Sequence, residues 1–369
     1  MFKRREDYPR EGAGGNTGIV LLLFFLSVVF YTLAQMIPDR KNDTLEKDMI
    51  EASRIMAQAS DVLKECRKSE GFRPDLESDV NGTGLLGLEH SVITTSIGHL
   101  EAKRTSTNPN FAGLVVSLLD ACGVKAGDTI AVGASSSFPA LIVAALSAAK
   151  ALDVHPLVIS SLGASQWGAN NPDFHWLKMW ACLSGHGVFS VNPIAVSLGG
   201  DRDSGEDMEE SGRALLQEDI RKSGIPFLSE PDLASNVRLR MDLYRKNASG
   251  KKIMAFINIG GSWANIGTDS SILHLKPGLN RTGVFPSLKR RGVISAMASE
   301  NIPVIHLLYI RGLARDHGLP WDPVPLPRPG EDPLYDSYKE KKVPFVLLAG
   351  LYLVLVLLVI IFWRRPLMV

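Results

Sequence analysis

The stretch Asp128–Leu146, DTIAVGASSSFPALIVAAL, decides the fold. It opens as an apolar, strand-like run, passes through a glycine and three serines, and continues as a helix-like run. Strand, glycine-bearing turn and helix in succession make half of a βαβ unit. The same rhythm recurs downstream. PLVISS (Pro156–Ser161) leads through LGASQWGANNPD to a helix from Phe174 to about Ser184, and PIAVSL leads through acidic DRDSGEDMEE to a helix near Arg213–Lys222. PFLS precedes the helix LASNVRLRMDLYRKN. KIMAFINIG (Lys252–Gly260) runs into GSWANIGTDSS, PSLKRRGVISAMAS reads as helix, and IPVIHLLYI as another buried strand. Apolar strands alternating with helices predict an α/β domain. Its sheet is open and mostly parallel, with helices on both faces in a Rossmann-like arrangement.

Upstream, FAGLVVSLLDACGV reads as a helix stopped at Gly123, and the Gly-, Ser- and Thr-rich stretch before it as loop. Leu45, Met49, Ile50, Ile55, Met56, Val62 and Leu63 space one amphipathic helix ending near Gly71, which either lies against the domain or forms a stalk. Downstream, HGLPWDPVPLPRPGEDP holds six prolines and reads as an extended linker.

Two segments lack any charge: Thr17–Ile37 and Val343–Trp363. At about 1.5 Å per residue, each is long enough to cross a hydrocarbon core of about 30 Å. A signal peptide is the rival for the first, but its apolar run is longer than such a peptide needs. The expected organisation is a tail (1–16), a transmembrane helix (17–37), a helical stalk (38–80), a ligand-binding domain (81–320), a proline-rich linker (321–342), a second transmembrane helix (343–363) and a second tail (364–369). Lys3, Arg4, Arg5 and Arg10 precede the first span, against Arg40, Lys41 and Lys47 after it. Arg364 and Arg365 stand opposite Lys339, Lys341 and Lys342. The tails together balance the central flanks, but the first span favours cytoplasmic tails and an extracytoplasmic middle.

The formal net charge of +1 and the lack of a basic tract with interleaved aromatics give no reason to expect a nucleic-acid partner. Cys66, Cys122 and Cys182 form no CxxC, so they read as small buried hydrophobes, with one pairing left open. GxxxxGK[ST] and HExxH are absent, and neither a cofactor nor a metal is expected.

The chemistry gathers in three segments that each follow a strand. Gly133–Ser137 supplies Ser135, Ser136 and Ser137. Gly163–Asn171 supplies Ser165, Asn170 and Asn171. Gly260–Gly267 supplies Gly260, Gly261, Ser262 and Asn265. Ligands of open α/β sheets bind at the carboxyl ends of strands, and these donor types suit a carboxylate or phosphate. Singly, the serines serve equally as helix caps and the asparagines as turn residues. Lys103 and Arg104, beside Thr105, Ser106, Thr107 and Asn108, form a basic candidate for holding an anion, or a solvated loop. Gly133-Ala-Ser135-Ser-Ser137 matches the first half of a GxSxG elbow, which makes Ser135 a weak nucleophile candidate without an identified base. His306 reads as a core group, Asp173 as a cap or a general acid or base, and GEDMEE as a solvated face.

Four phrases in order, TTSIGHLEAKRTSTNP, VGASSSFPAL, VISSLGASQWGANNPDF and FINIGGSWANIG, lie between the apolar ends. In these the chain resembles the poly-gamma-glutamate system protein family of bacterial poly-γ-glutamate capsule or slime production. The resemblance implies a role in synthesis, export or processing of that polymer and carries no catalytic assignment. The expected function is a membrane-anchored accessory component binding glutamyl carboxylates of an anionic polymer, or glutamate, beside other synthase or export subunits. The alternatives are a γ-glutamyl hydrolase or transferase with a serine nucleophile, and a non-catalytic structural partner.

Overall fold

The computed structural model describes residues 14–36, 41–72, 75–281, 290–338 and 342–363. The expected tails and the flanking cations Lys3, Arg4, Arg5, Arg10, Arg40, Lys339, Lys341, Arg364 and Arg365 lie outside the described residues, apart from Gly14–Asn16. So does the Pro286–Lys289 part of the helix expected near 290.

The chain forms two units, one made of both ends (1–44 and 338–369) and one of Leu45–Ser337. In the first, α1 (Gly14–Met36) and the helix Lys342–Trp363 near the other end of the chain contain apolar stretches of membrane-crossing length, Thr17–Ala34 and Val346–Trp363. Neither stretch is buried by protein. The two helices touch through Ser27 and Tyr352, whose hydroxyls are 2.8 Å apart, and through the tilted rings of Phe30 and Tyr352.

The second unit begins within α2 (Lys41–Ser69). This helix is no free stalk, because Met49, Ala52, Met56, Ala59 and Leu63 recur at three- and four-residue spacing and are buried. Then come α3 (Leu100–Ser106), α4 (Asn110–Ala121), β1 (Thr129–Ser135), α5 (Pro139–Ala151), β2 (His155–Ser161), α6 (Trp176–Gly185) and β3 (Ala195–Ser197). The chain continues with α7 (Glu210–Ser223), β4 (Phe227–Leu228), α8 (Leu233–Ala248), β5 (Ile253–Ile259), α9 (Trp263–Ile266), β6 (Gly278–Asn280), α10 (Val293–Ser299), β7 (Val304–Leu307) and α11 (Ile310–His317), and α12 (Lys342–Trp363) is the second apolar helix.

Seven strands form one sheet in the order β4-β3-β2-β1-β5-β7-β6, parallel except for β6, which runs antiparallel to β7. The chain steps outward from β1 to β4 and returns to β5 on the other side of β1, so strand order reverses between β1 and β5. Alternation assigns the two faces. Ala131, Ile159, Ala195, Phe256 and Val304 share a face and a cluster with Val237, Met241 and Tyr244 of α8 and Val293 and Met297 of α10. Val132, Val158, Ile257 and Ile305 point the other way and are fully buried; α5 lies against β1, β2 and β5 and contributes nothing to that cluster. The many small residues of α5 let it pack closely while buried from Pro139 to Ala149.

One expectation needs correction, and one left open is decided. The proline-rich segment is packed rather than extended as a linker, since Asp332 accepts from the amides of Asn108 (2.7 Å) and Asn110 (2.9 Å), and Leu334 and Tyr335 are buried. Cys66 and Cys182 are joined by a disulfide that ties α2 to α6. Cys122 is the free thiol.

Candidate functional site

The three serine- and asparagine-bearing segments converge where strand order reverses. Gly133, Ala134 and Ser135 are the last residues of β1 rather than loop, paired with Ile159–Ser161 of β2 and, through Gly133 and Ala134, with Asn258 and Ile259 of β5. The turn that follows holds both neighbours. Ser136 donates its hydroxyl to the Ser161 carbonyl at 2.6 Å, and its own carbonyl accepts from Ala169 N–H at 2.8 Å. Ser137 Oγ accepts the Ser165 amide at 3.0 Å. Gly168 is so close that a Cβ there would stand 2.9 Å from Ser137 Cα. On the β5 side, Gly260 (φ +75°) lies against Ser135, whose Cβ would be 3.0 Å from a Cβ added at that glycine.

None of the three serines caps α5. Its N-cap is Phe138, without a side-chain bond, and Pro139 starts the helix. Ser262 does cap, accepting the Asn265 amide at the start of α9. Asn171 takes the turn role, its Oδ1 accepting Asp173 N–H at 2.9 Å, and Asp173 itself is exposed. Asn170 fastens the 88–94 segment through Leu88 N–H, the Leu88 carbonyl and Thr94 Oγ1, each at 2.8 Å. Asn265 is buried beside Gly133, and neither atom of its side-chain amide is hydrogen-bonded among the described residues. Gly261 is exposed at the rim, and Ser137, Phe138, Gln166, Trp167 and Trp263 are half-buried around it in the three segments.

The basic pair divides. The segment expected as loop contains α3, and its turn sends Lys103 and Arg104 to different neighbours. Arg104 is neutralised by Asp322, with Nε 2.7 Å from Oδ1 and Nη2 bonded to Oδ2. Lys103 runs under the converged segments. Its Nζ lies 2.7 Å from Ser165 Oγ, donates to the Ser137 carbonyl and sits 4.0 Å from the centre of the Phe138 ring. None of these partners is anionic. Burial alone lowers the ammonium from its ordinary value to about 7, so near neutrality a large fraction of Lys103 is free amine.

Sequence reasoning did not identify Phe138, the aromatic cover of Lys103, or Asn258. The Asn258 amide donates to the Gly260 carbonyl at 2.9 Å and lies 3.0 Å from His306 Nδ1, which anchors the third segment from below. Burial depresses His306 to about 4, so at neutral pH its Nδ1 accepts from Asn258. The serine-glycine pattern marked the strand ends, but no spacing pointed to a lysine that reaches them from 34 and 62 residues away.

The chain matches no known protein family, no curated protein and no solved structure. Its chemistry rests on its own residues: a buried amine with no anionic partner among the described residues, several hydroxyls, and the exposed Gly261, at the carboxyl ends of the central strands.

Proposed function

We propose that the protein is a membrane-anchored component of bacterial poly-γ-glutamate synthesis or export, whose Rossmann-like domain binds glutamyl carboxylates or a similar anion at the three converged segments. One observation carries this reading. Ser137 and Ser165 are hydrogen-bonded across two segments, Ser135 touches the third at Gly260, and Lys103 beneath them has no anionic partner among the described residues. A carboxylate entering there meets hydroxyl donors, and its negative charge favours the protonated form of Lys103.

The Cys66–Cys182 disulfide supports an extracytoplasmic position, because such bonds persist in oxidising compartments. The two apolar helices support anchoring, and an anchored face suits contact with other synthase or export subunits.

The test uses the full-length protein in detergent micelles, titrated with an oligo-γ-glutamate and followed by tryptophan fluorescence and calorimetry. Trp167 and Trp263 stand in the converged segments and report on them directly. Saturable binding that weakens as salt is added is expected. Absence of saturable binding up to millimolar oligomer overturns the reading.

A further inference from the structure

We infer that Ser165 and Lys103 form a serine–lysine dyad that performs acyl transfer on an amide. The pairing stands on geometry: Ser165 Oγ lies 2.7 Å from Lys103 Nζ, within reach for proton transfer. The Ser137 carbonyl and the Phe138 ring fix the amine on its other sides. A serine hydroxyl is a poor nucleophile until a neighbouring base takes its proton, and a desolvated lysine supplies that base in other serine enzymes. The burial that lowers Lys103 makes the free amine available near neutral pH. Ser135, the nucleophile expected from the elbow-like motif, has no such partner; its hydroxyl oxygen accepts the Ser137 amide at 3.3 Å.

The step balances without a cofactor. Ser165 Oγ attacks the amide carbonyl, its proton passes to Lys103 Nζ, and a C–O bond forms. The C–N bond then breaks as Lys103 returns that proton to the departing amine, leaving an ester on Ser165. Water attacks the ester, giving a proton to Lys103 and its hydroxyl to the acyl carbon; the bond between that carbon and Ser165 Oγ then breaks as Lys103 returns the proton to Oγ. The sum is amide plus water to acid plus amine. An amine acceptor in place of water makes the same site a transferase.

That the amide is a γ-glutamyl bond rests on the proposed function above; the pairing of Ser165 with Lys103 does not. The experiment separates the two. Full-length protein in detergent is treated with a fluorophosphonate and the adduct mapped by peptide mass spectrometry, which needs no variant to fold. A single adduct on Ser165 is expected, and its loss in Lys103→Arg, which keeps a side chain charged at all working pH. In parallel, oligo-γ-glutamate chain length is followed by gel. Shortening by wild type, reduced at least 1,000-fold in Ser165→Ala with an unchanged melting temperature, supports the dyad. An adduct on Ser135 or Ser137 alone, no adduct at all, or undiminished cleavage by Ser165→Ala overturns it. Labelling of Ser165 without oligo-γ-glutamate binding sustains the dyad and sinks the glutamyl reading. Binding without labelling does the reverse.

Discussion

Arg240 Nη2 meets Asp203 Oδ2 at 2.6 Å, and both side chains are 1 % exposed. Ser197 Oγ and the Asn236 amide complete the pair, at 2.7 Å from Asp203 Oδ1 and 2.9 Å from Oδ2. This cluster fixes the carboxyl end of β3. Asp203 is set apart from the acidic residues that follow it, Glu206, Asp207, Glu209 and Glu210, which are exposed. Asp203→Ala leaves a guanidinium buried without its counter-charge, and the expected loss is about 3–5 kcal/mol. Urea unfolding followed by tryptophan fluorescence measures it. A loss below 1 kcal/mol would show that the pair is dispensable. Asp203→Leu combined with Arg240→Met is expected to cost less than Asp203→Ala alone.

Lys103 sets a pH dependence. Its folded value of about 7 lies below the ordinary 10.5. Between these values the unfolded chain holds a proton that the folded chain has released, so stability rises with pH across that window. Below about 7 both states are protonated and this contribution stays flat. The upper bound is ~5 kcal/mol over the window, and Lys103→Met is expected to flatten the slope. Thermal melts at pH 6, 7.5 and 9 on both proteins check this. Equal slopes would place Lys103 in solvent. The same titration makes acyl transfer fall as pH drops through about 7.

Gly261 offers a clean block of the rim. It is exposed, and a Cβ there meets only Leu308 Cδ2 at 4.0 Å. Gly261→Trp is expected to leave the melting temperature within about 2 °C, since surface changes of this kind cost little. Its affinity for oligo-γ-glutamate is expected to fall at least tenfold by calorimetry. Unchanged affinity would move the ligand away from the three segments.

The disulfide closes a separation of 116 residues. Cys66→Ser is expected to cost about 2–4 kcal/mol, chiefly by freeing the unfolded chain. In protein from acid-quenched cells, denatured without reductant, a thiol reagent should mark one cysteine per chain, Cys122, and three after reduction. Three before reduction would argue against the oxidising compartment.

Where local pattern carries the information, the sequence is readable: DTIAV, PLVISS and KIMAFINIG fall on β1, β2 and β5, and the second and third segments follow their strands as expected, whereas the first begins inside β1. Antiparallel β6 is only Gly278–Asn280, too short for any periodicity. The 94–109 segment reads as loop because its serines, threonines and asparagines resemble turn residues. Yet Lys103 and Thr105 turn inward there as helix, with partners far along the chain: Ser165 Oγ for Lys103 and the Asp322 N–H for Thr105 Oγ1. Pairings such as Lys103 with Ser165, Asp203 with Arg240 and Cys66 with Cys182 depend on the folded crossing of elements, to which local spacing is blind.

Tyr335 Oη donates to Asn110 Oδ1 at 2.9 Å and lies 2.7 Å from Ser53 Oγ, in the buried layer that also holds Asp332. Ser53 stands two helical turns after the first residue of the α/β unit, and Tyr335 two residues before its last. The α/β unit therefore carries its own clasp: a helix from its beginning and a turn from its end are held in one buried layer, so clipping either end costs the unit an internal contact as well as a tail.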